Sequence, residues 1–165
     1  ALVVQEANMQ ILGNTVAEDL ELTIKKEKQG HASTPPLEEK AHDILSFLNL
    51  DQKLHWPVHT LSYGEKRKLC LATAFLRNPA LFLLDEPFSG LDYPACLELL
   101  AYIKLLLEQG TAIIMSTHDT DLIFDYTHKF LFLSPSKPPF LGTRADAPQH
   151  YAAYNLKPLC GNKGK

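Results

Sequence analysis

The chain of 165 residues has the length of one ordinary domain, enough to bury a core. Its 45% hydrophobic and 21% charged residues are those of a soluble globular protein, and a net charge of −3 offers no argument for nucleic acid or an anionic membrane as partner. Three widely spaced cysteines, Cys70, Cys96 and Cys160, argue against a disulfide frame or a zinc site and fit a reducing compartment.

No apolar run approaches the roughly 18 to 20 residues needed to cross a bilayer, and no basic stretch followed by a long apolar one marks a signal peptide. The chain opens directly in the apolar run Leu2-Val3-Val4, which reads as the middle of a strand, so the sequence is expected to be a fragment. Residues 1–4 form a short β segment leading to Gln5, and Glu6 to Gly13 lacks a period and reads as a loop. Thr15 precedes Glu18 by three residues, a capping-box spacing that starts a helix through Leu20, Leu22 and Ile24. Lys25 to Pro36, broken by Gly30, Pro35 and Pro36, reads as a surface loop of low order. Leu37, Ala41, Ile44, Leu45 and Leu48 recur at helical spacing up to about Asn49.

His55-Trp56-Pro57 breaks the next segment. His55 and His59 have metal-like spacing, but the intervening Pro57 argues against a shared helical face. A helix is expected from about Gly64 to Arg77, stopped by Asn78-Pro79, with Lys66-Arg67-Lys68 on its solvated face. Ala80 to Leu84 is continuously apolar, the pattern of a central parallel strand buried on both faces. Pro94 starts a helix carrying Leu97, Leu100, Ile103, Lys104 and Leu107 and ended by Gly110, and Thr111 to Met115 is a further buried strand. A short helix over Asp119 to Tyr126 and another strand over Lys129 to Leu133 complete an α/β pattern with a parallel sheet. From Ser134 to Lys165 prolines accumulate and apolar clusters thin out, as in a loose extension. Its Gly161-Asn-Lys-Gly164-Lys165 is too short for a phosphate loop and lacks the hydroxyl residue.

Three features carry chemistry. Asp85 and Glu86 end the apolar strand, and in open parallel sheets ligands sit beyond the carboxyl ends of the strands. An acid there can hold Mg²⁺, and its neighbour can orient or deprotonate a water for attack on a γ-phosphate. Ser62-Tyr63-Gly64-Glu65 opens a helix, where a hydroxyl, free N–H groups and the helix dipole suit an anion; an ordinary Ser N-cap explains Ser62 equally well. His118 follows a strand in Ser116-Thr117-His118-Asp119 and is placed to contact a γ-phosphate.

Together these pieces resemble the ATP-binding subunit of ABC (ATP-binding cassette) transporters. LSYGE resembles the signature motif, LFLLDE the Walker B strand with its catalytic glutamate, SGLD the D-loop, STHD the switch-histidine loop and Gln5 the Q-loop glutamine. Ser62 to Asp85 is 23 positions and Asp85 to His118 is 33, in agreement with that family. Gln5, Gln10 and Thr15-Val16-Ala17-Glu18-Asp19 are similar to the branch of energy-coupling-factor and cobalt- or biotin-type importers. There are departures. Tyr63 and Glu65 stand where the family usually has Gly and Gln, and no G-x-x-x-x-G-K-[ST] loop occurs, so this chain alone is expected to bind ATP weakly or not at all.

The resemblance implies a P-loop NTPase fold of the ABC ATPase type, N-terminally truncated. A partial ATPase domain would span 1–134, with a helical subdomain and Q-loop over about 5–77, a core over 78–134, and a loose extension over 135–165. It implies ATP and Mg²⁺ as ligands. Asp85 and Gln5 would serve the metal, Glu86 would activate water and His118 would hold the γ-phosphate. Ser62, Tyr63, Gly64 and Glu65 would complete a partner's nucleotide site, with Asp92 at the subunit contact. A second ATPase subunit, as homo- or heterodimer, and transmembrane transporter subunits are the implied partners, with no nucleic acid, at the cytoplasmic face of the membrane. Import of a metal ion, vitamin or other small solute follows from the Q-loop resemblance. The alternatives are a non-transport ABC ATPase acting in translation or DNA repair, and a non-catalytic subunit.

Overall fold

The computed structural model describes residues 1–28 and 37–156, and the chain divides into two compact units, Ala1–Thr117 and His118–Lys165. Each is built differently.

In the first unit, β1 (Leu2–Val3), β2 (Leu81–Asp85) and β3 (Ala112–Ser116) form a parallel sheet in that order. Helices α1 (Val16–Lys28), α2 (Leu37–Phe47) and α3 (Tyr63–Leu76) pack against one another, and α4 (Tyr93–Glu108) links β2 to β3. Sequence explains most boundaries. Thr15 Oγ1 accepts from the Glu18 N–H (3.2 Å), which starts α1, while the Glu18 carboxylate accepts from the Asn14 N–H (2.9 Å). Asp92 caps α4 by accepting from the Ala95 N–H, Pro94 sits in its first turn, and Gly110 at φ 87° follows its end.

The core is centred on α3, whose Leu69, Cys70, Leu71, Ala72, Phe75 and Leu76 are buried. Phe75 lies edge-on to Phe82 of β2 (5.4 Å) and stacks on Tyr102 of α4 (4.3 Å), so one aromatic ring joins the helices to the sheet.

Several expectations need correction. The Ala80–Leu84 run is not buried on both faces: Phe82 and Leu84 are buried, but Leu81 and Leu83 are exposed. Neither is β3 a buried strand; it is the sheet edge, alternates exposed and half-buried, and leaves Ile114 62% exposed. One face of the sheet is therefore uncovered among the described residues. Glu6 to Gly13 contains a 3-10 turn over Ala7–Met9. The loop expected from Lys25 begins later, since α1 continues to Lys28 with Glu21 and Lys25 paired at i,i+4 (3.2 Å); residues 29–36 lie outside the described residues.

In the second unit, α5 (Thr120–Ile123) precedes β4 (Lys129–Ser134), which pairs antiparallel with β5 (Lys137–Thr143), and α6 (Ala147–His150) follows. The strand over Lys129–Leu133 thus belongs to a separate hairpin and not to the parallel sheet. The segment after Ser134 is not loose as far as Leu156, because Phe130 and Phe132 of β4 pack with Ala147 and Tyr151 into a small core. Its prolines misled: Pro138 and Pro139 lie in a strand paired on one side only, where a missing N–H is tolerated. Residues 157–165, including the rejected phosphate-loop-like sequence, lie outside the described residues.

Candidate functional site

At the start of α3 the Ser62 hydroxyl accepts from the Glu65 N–H (3.3 Å), and the Glu65 carboxylate accepts from the Ser62 N–H (2.8 Å), a complete capping box. Lys53 also hydrogen-bonds the Glu65 carboxylate and holds it below the usual carboxylate range. The N-cap reading of Ser62 is therefore realised, and Ser62 is exposed at a helix start whose first N–H groups have no intrahelical partner.

Gly64 faces the turn after β2. A Cβ there would come within 3.0 Å of the Gly90 carbonyl oxygen. Gly90, at φ 77°, lies under the Tyr63 ring, and a Cβ on it would meet Tyr63 Cδ1 and Cε1 at 2.3 Å. The Ser62–Glu65 turn and the Ser89–Asp92 turn are thus in direct contact through Tyr63, Gly64 and Gly90.

Asp85 is exposed at the last position of β2, and its Oδ1 accepts from the Ser116 hydroxyl at the end of β3. Glu86 prolongs the ladder by one bond, its N–H donating to the Ser116 carbonyl (2.9 Å), and then turns the chain at φ 45°. A non-glycine residue held in the left-handed region costs about 1–3 kcal/mol and persists only where its surroundings over-determine it.

The surroundings that do so include Arg67. Its guanidinium is fully buried, so the Lys66-Arg67-Lys68 run is not a solvated face. Nη1 donates to the carbonyls of Val4 and Gln5 (3.0 Å to Gln5), and Nη2 to those of Asp85 and Glu86 (2.8 Å to Glu86). Burial lowers the pKa of the guanidinium, and the nearby Asp85 and Glu86 charges oppose that shift. Lys66 reaches Asn8 (3.2 Å) and Lys68 reaches Glu98 (3.2 Å), so all three basic side chains are engaged.

Gln5 receives a further bond, from the Tyr63 hydroxyl to its carbonyl (3.1 Å). The structure thereby ties Gln5, Tyr63, Asp85, Glu86 and Gly90 into one neighbourhood around the start of α3. Asp92 is the N-cap of α4. His118 opens the second unit, exposed, with Nε2 3.9 Å from Asp119 Oδ1. The exposed Asp85 carboxylate and the exposed Gln5 amide are oxygen donors of the class a hard divalent cation takes, so the residues fit Mg²⁺.

Residues 10–125 match the family model described as "AAA domain, putative AbiEii toxin, Type IV TA system". A protein of Bacillus thuringiensis subsp. konkukian (strain 97-27) named "Putative ABC transporter ATP-binding protein" is 33% identical over 131 residues, 79% of this chain and 23% of that protein. The chain belongs to the ABC-type ATPases. The fold is theirs as well. CbiO1 from Clostridium perfringens, described as part of the ABC transporter complex CbiONQ, superposes with a TM-score of 0.68 at 22% identity, covering 88% of this chain and 57% of that one. The cassette MJ0796, in a dimeric post-hydrolysis state bound to ADP and Pi, does so with a TM-score of 0.74 at 23% identity, covering 87% and 62%. The chain spans about a quarter of the length of the curated relatives it matches.

Within this ABC ATPase chain, the residues read as a branch-specific run prove to organise the Gln5 segment. Gln10 zips the outer edge of β1, its Oε1 accepting from the Val4 N–H and its Nε2 donating to the Leu2 carbonyl (both 3.0 Å). Asp19, buried, accepts from the Leu12 and Gly13 N–H groups (2.7 and 2.9 Å), and a Cβ on Gly13 would lie 2.3 Å from the Asp19 nitrogen. Arg67 is the residue the sequence reading missed. Its signal was periodicity, since Arg67, Cys70, Leu71 and Ala74 share one buried helical stripe.

Proposed function

We propose that this chain is a portion of an ATP-binding and ATP-hydrolysing subunit that powers an ABC transporter. The observation that carries the reading is the acid pair Asp85–Glu86 at the carboxyl end of a parallel strand, fastened to the Gln5 segment and to α3. Asp85 and Gln5 would hold Mg²⁺, which would supply positive charge against the phosphates. Glu86 orients the attacking water and takes its proton, and His118 contacts the γ-phosphate. The exposed Ser62, with Tyr63, Gly64 and Glu65, completes the nucleotide site of a second ATPase subunit, and Asp92 lies at the contact between subunits.

The dimeric state of MJ0796 and the membership of CbiO1 in a transporter complex support a dimer docked on membrane-embedded subunits at the cytoplasmic face. No helix among the described residues is long and apolar enough to cross a membrane. The similarity of Gln5, Gln10 and Thr15–Asp19 to importer ATPases supports import of a metal ion, vitamin or other small solute. Lacking a G-x-x-x-x-G-K-[ST] loop, the 165-residue chain by itself would bind ATP weakly or not at all.

The test is purification of the whole protein from its native membranes, followed by an ATPase assay. ATP turnover together with a co-purifying membrane protein supports the reading. Co-purification with ribosomes or DNA would favour a non-transport ATPase, and absent turnover a non-catalytic subunit.

A further inference from the structure

Strands β1 and β2 are joined by ladder pairing only at Leu2↔Leu83 and Val3↔Leu84. The residues that follow, Val4 and Gln5 after β1 and Asp85 and Glu86 after Leu84, are not paired with each other, although Asp85 and Glu86 remain bonded to β3 at Ser116. This is the stretch that carries the candidate metal and water-activating side chains. At that point a side chain replaces the ladder. Arg67 sends one guanidinium nitrogen to Val4 and Gln5 and the other to Asp85 and Glu86, all through carbonyl oxygens. A planar fork with paired donors is suited to spanning two chains at a fixed separation, which a lysine ammonium cannot do.

Two further features accompany this splice. Glu86 is at φ 45°, and its carbonyl is held jointly by Arg67 Nη2 and the Ser89 N–H (3.1 Å). Tyr63, one turn before Arg67 on α3, adds a second donor to the Gln5 carbonyl. The hydrogen bonds of Arg67 run to the backbones that carry the candidate site side chains, with the Asp85 and Glu86 charges nearby.

We propose that Arg67 is a positioning residue of the hydrolytic site, setting the separation between the Gln5 and Asp85–Glu86 backbones so that their side chains meet one Mg²⁺ and one water. The inference rests on the proposed ATPase function. It also means that α3, which presents Ser62 and Gly64 at its start, is mechanically continuous with the acids of its own chain.

The experiment measures ATP turnover by the whole protein, with activity divided by the stoichiometry of bound ATP so that a misfolded fraction does not count. Arg67→Lys should lower kcat by about tenfold or more and raise the Mg²⁺ concentration for half-maximal turnover by a similar factor, with KM for ATP changed far less. A lysine variant that keeps kcat and Mg²⁺ dependence within twofold overturns the proposal. Should Arg67→Lys not fold, Tyr63→Phe decides, since it removes one donor from Gln5 at a half-exposed side chain. A severalfold rise in the Mg²⁺ concentration for half-maximal turnover supports the proposal, and an unchanged Mg²⁺ dependence overturns it. Absent turnover in the wild-type protein would instead refute the ATPase reading on which the inference rests.

Discussion

The ring of Tyr63 occupies the space into which a side chain on Gly90 would project, and the two are in contact across the gap between the start of α3 and the turn after β2. Gly90 needs its missing Cβ twice, for the Tyr63 ring and for φ 77°. Gly90→Ala should therefore cost about 2–4 kcal/mol in a urea melt. Tyr63→Ala in the same background should recover about 1–2 kcal/mol by removing the clash while leaving the backbone strain. Strict additivity of the two changes would show that the contact is not tight.

Asp19 holds the turn that leads from Gln10 to α1. Its buried carboxylate serves the Leu12 and Gly13 N–H groups, and removing it strands two donors. Asp19→Ala should destabilise the protein by about 2–3 kcal/mol, read by denaturant melting. Asp19→Asn, which keeps a carbonyl oxygen, should cost less.

Glu65 links acid stability to the start of α3. Its pKa is depressed, first by the Lys53 hydrogen bond and then by the Ser62 bonds against the opposing effect of burial. A group depressed in the folded state stabilises the fold above its ordinary value of 4.5, and that contribution is lost as pH falls through the folded value. Lys53→Met should make the melting temperature less dependent on pH below about 4.5 than in the wild type. An identical acid profile in the two proteins would contradict this.

Cys70 gives the alkaline counterpart. Burial pushes its thiol from 9.0 up to about 12. The folded thiol stays neutral where the unfolded one ionises, so stability present below pH 9 declines between about 9 and 12. At pH 8 Cys70 should resist iodoacetamide in the native protein and react after denaturation, as mass spectrometry of the tryptic peptide would show.

Much of this molecule is legible in its sequence. The apolar stripe Ala41, Ile44, Leu45 and Leu48 identifies α2, and Asn78-Pro79 ends α3 beside an Asn78 at φ 44°. The acids at the end of β2 are visible because four consecutive apolar residues stop at Asp85. Arg67 was hidden by its neighbours, since three basic residues in a row suggest solvent. Only the shared stripe with Cys70, Leu71 and Ala74 points inward, and the carbonyls that satisfy Arg67 lie 62 and 63 positions away at Gln5 and Val4. The β4–β5 hairpin was hidden by composition, because Pro138 and Pro139 argue against a strand unless its edge is unpaired. One-sided burial of β2 was beyond reach for a related reason: a continuous apolar run is the same in sequence whether one face or both is covered.

The proposed role of Glu86 in activating water is tested most directly by ATP hydrolysis and ATP binding by the whole protein carrying Glu86→Gln. The amide keeps the size of the side chain and its place in the turn but cannot take a proton. Turnover should fall by about 10²–10⁴-fold while a fluorescent ATP analogue still binds with the wild-type affinity. Turnover equal to that of the wild type would contradict the assignment of the acid pair as the hydrolytic site.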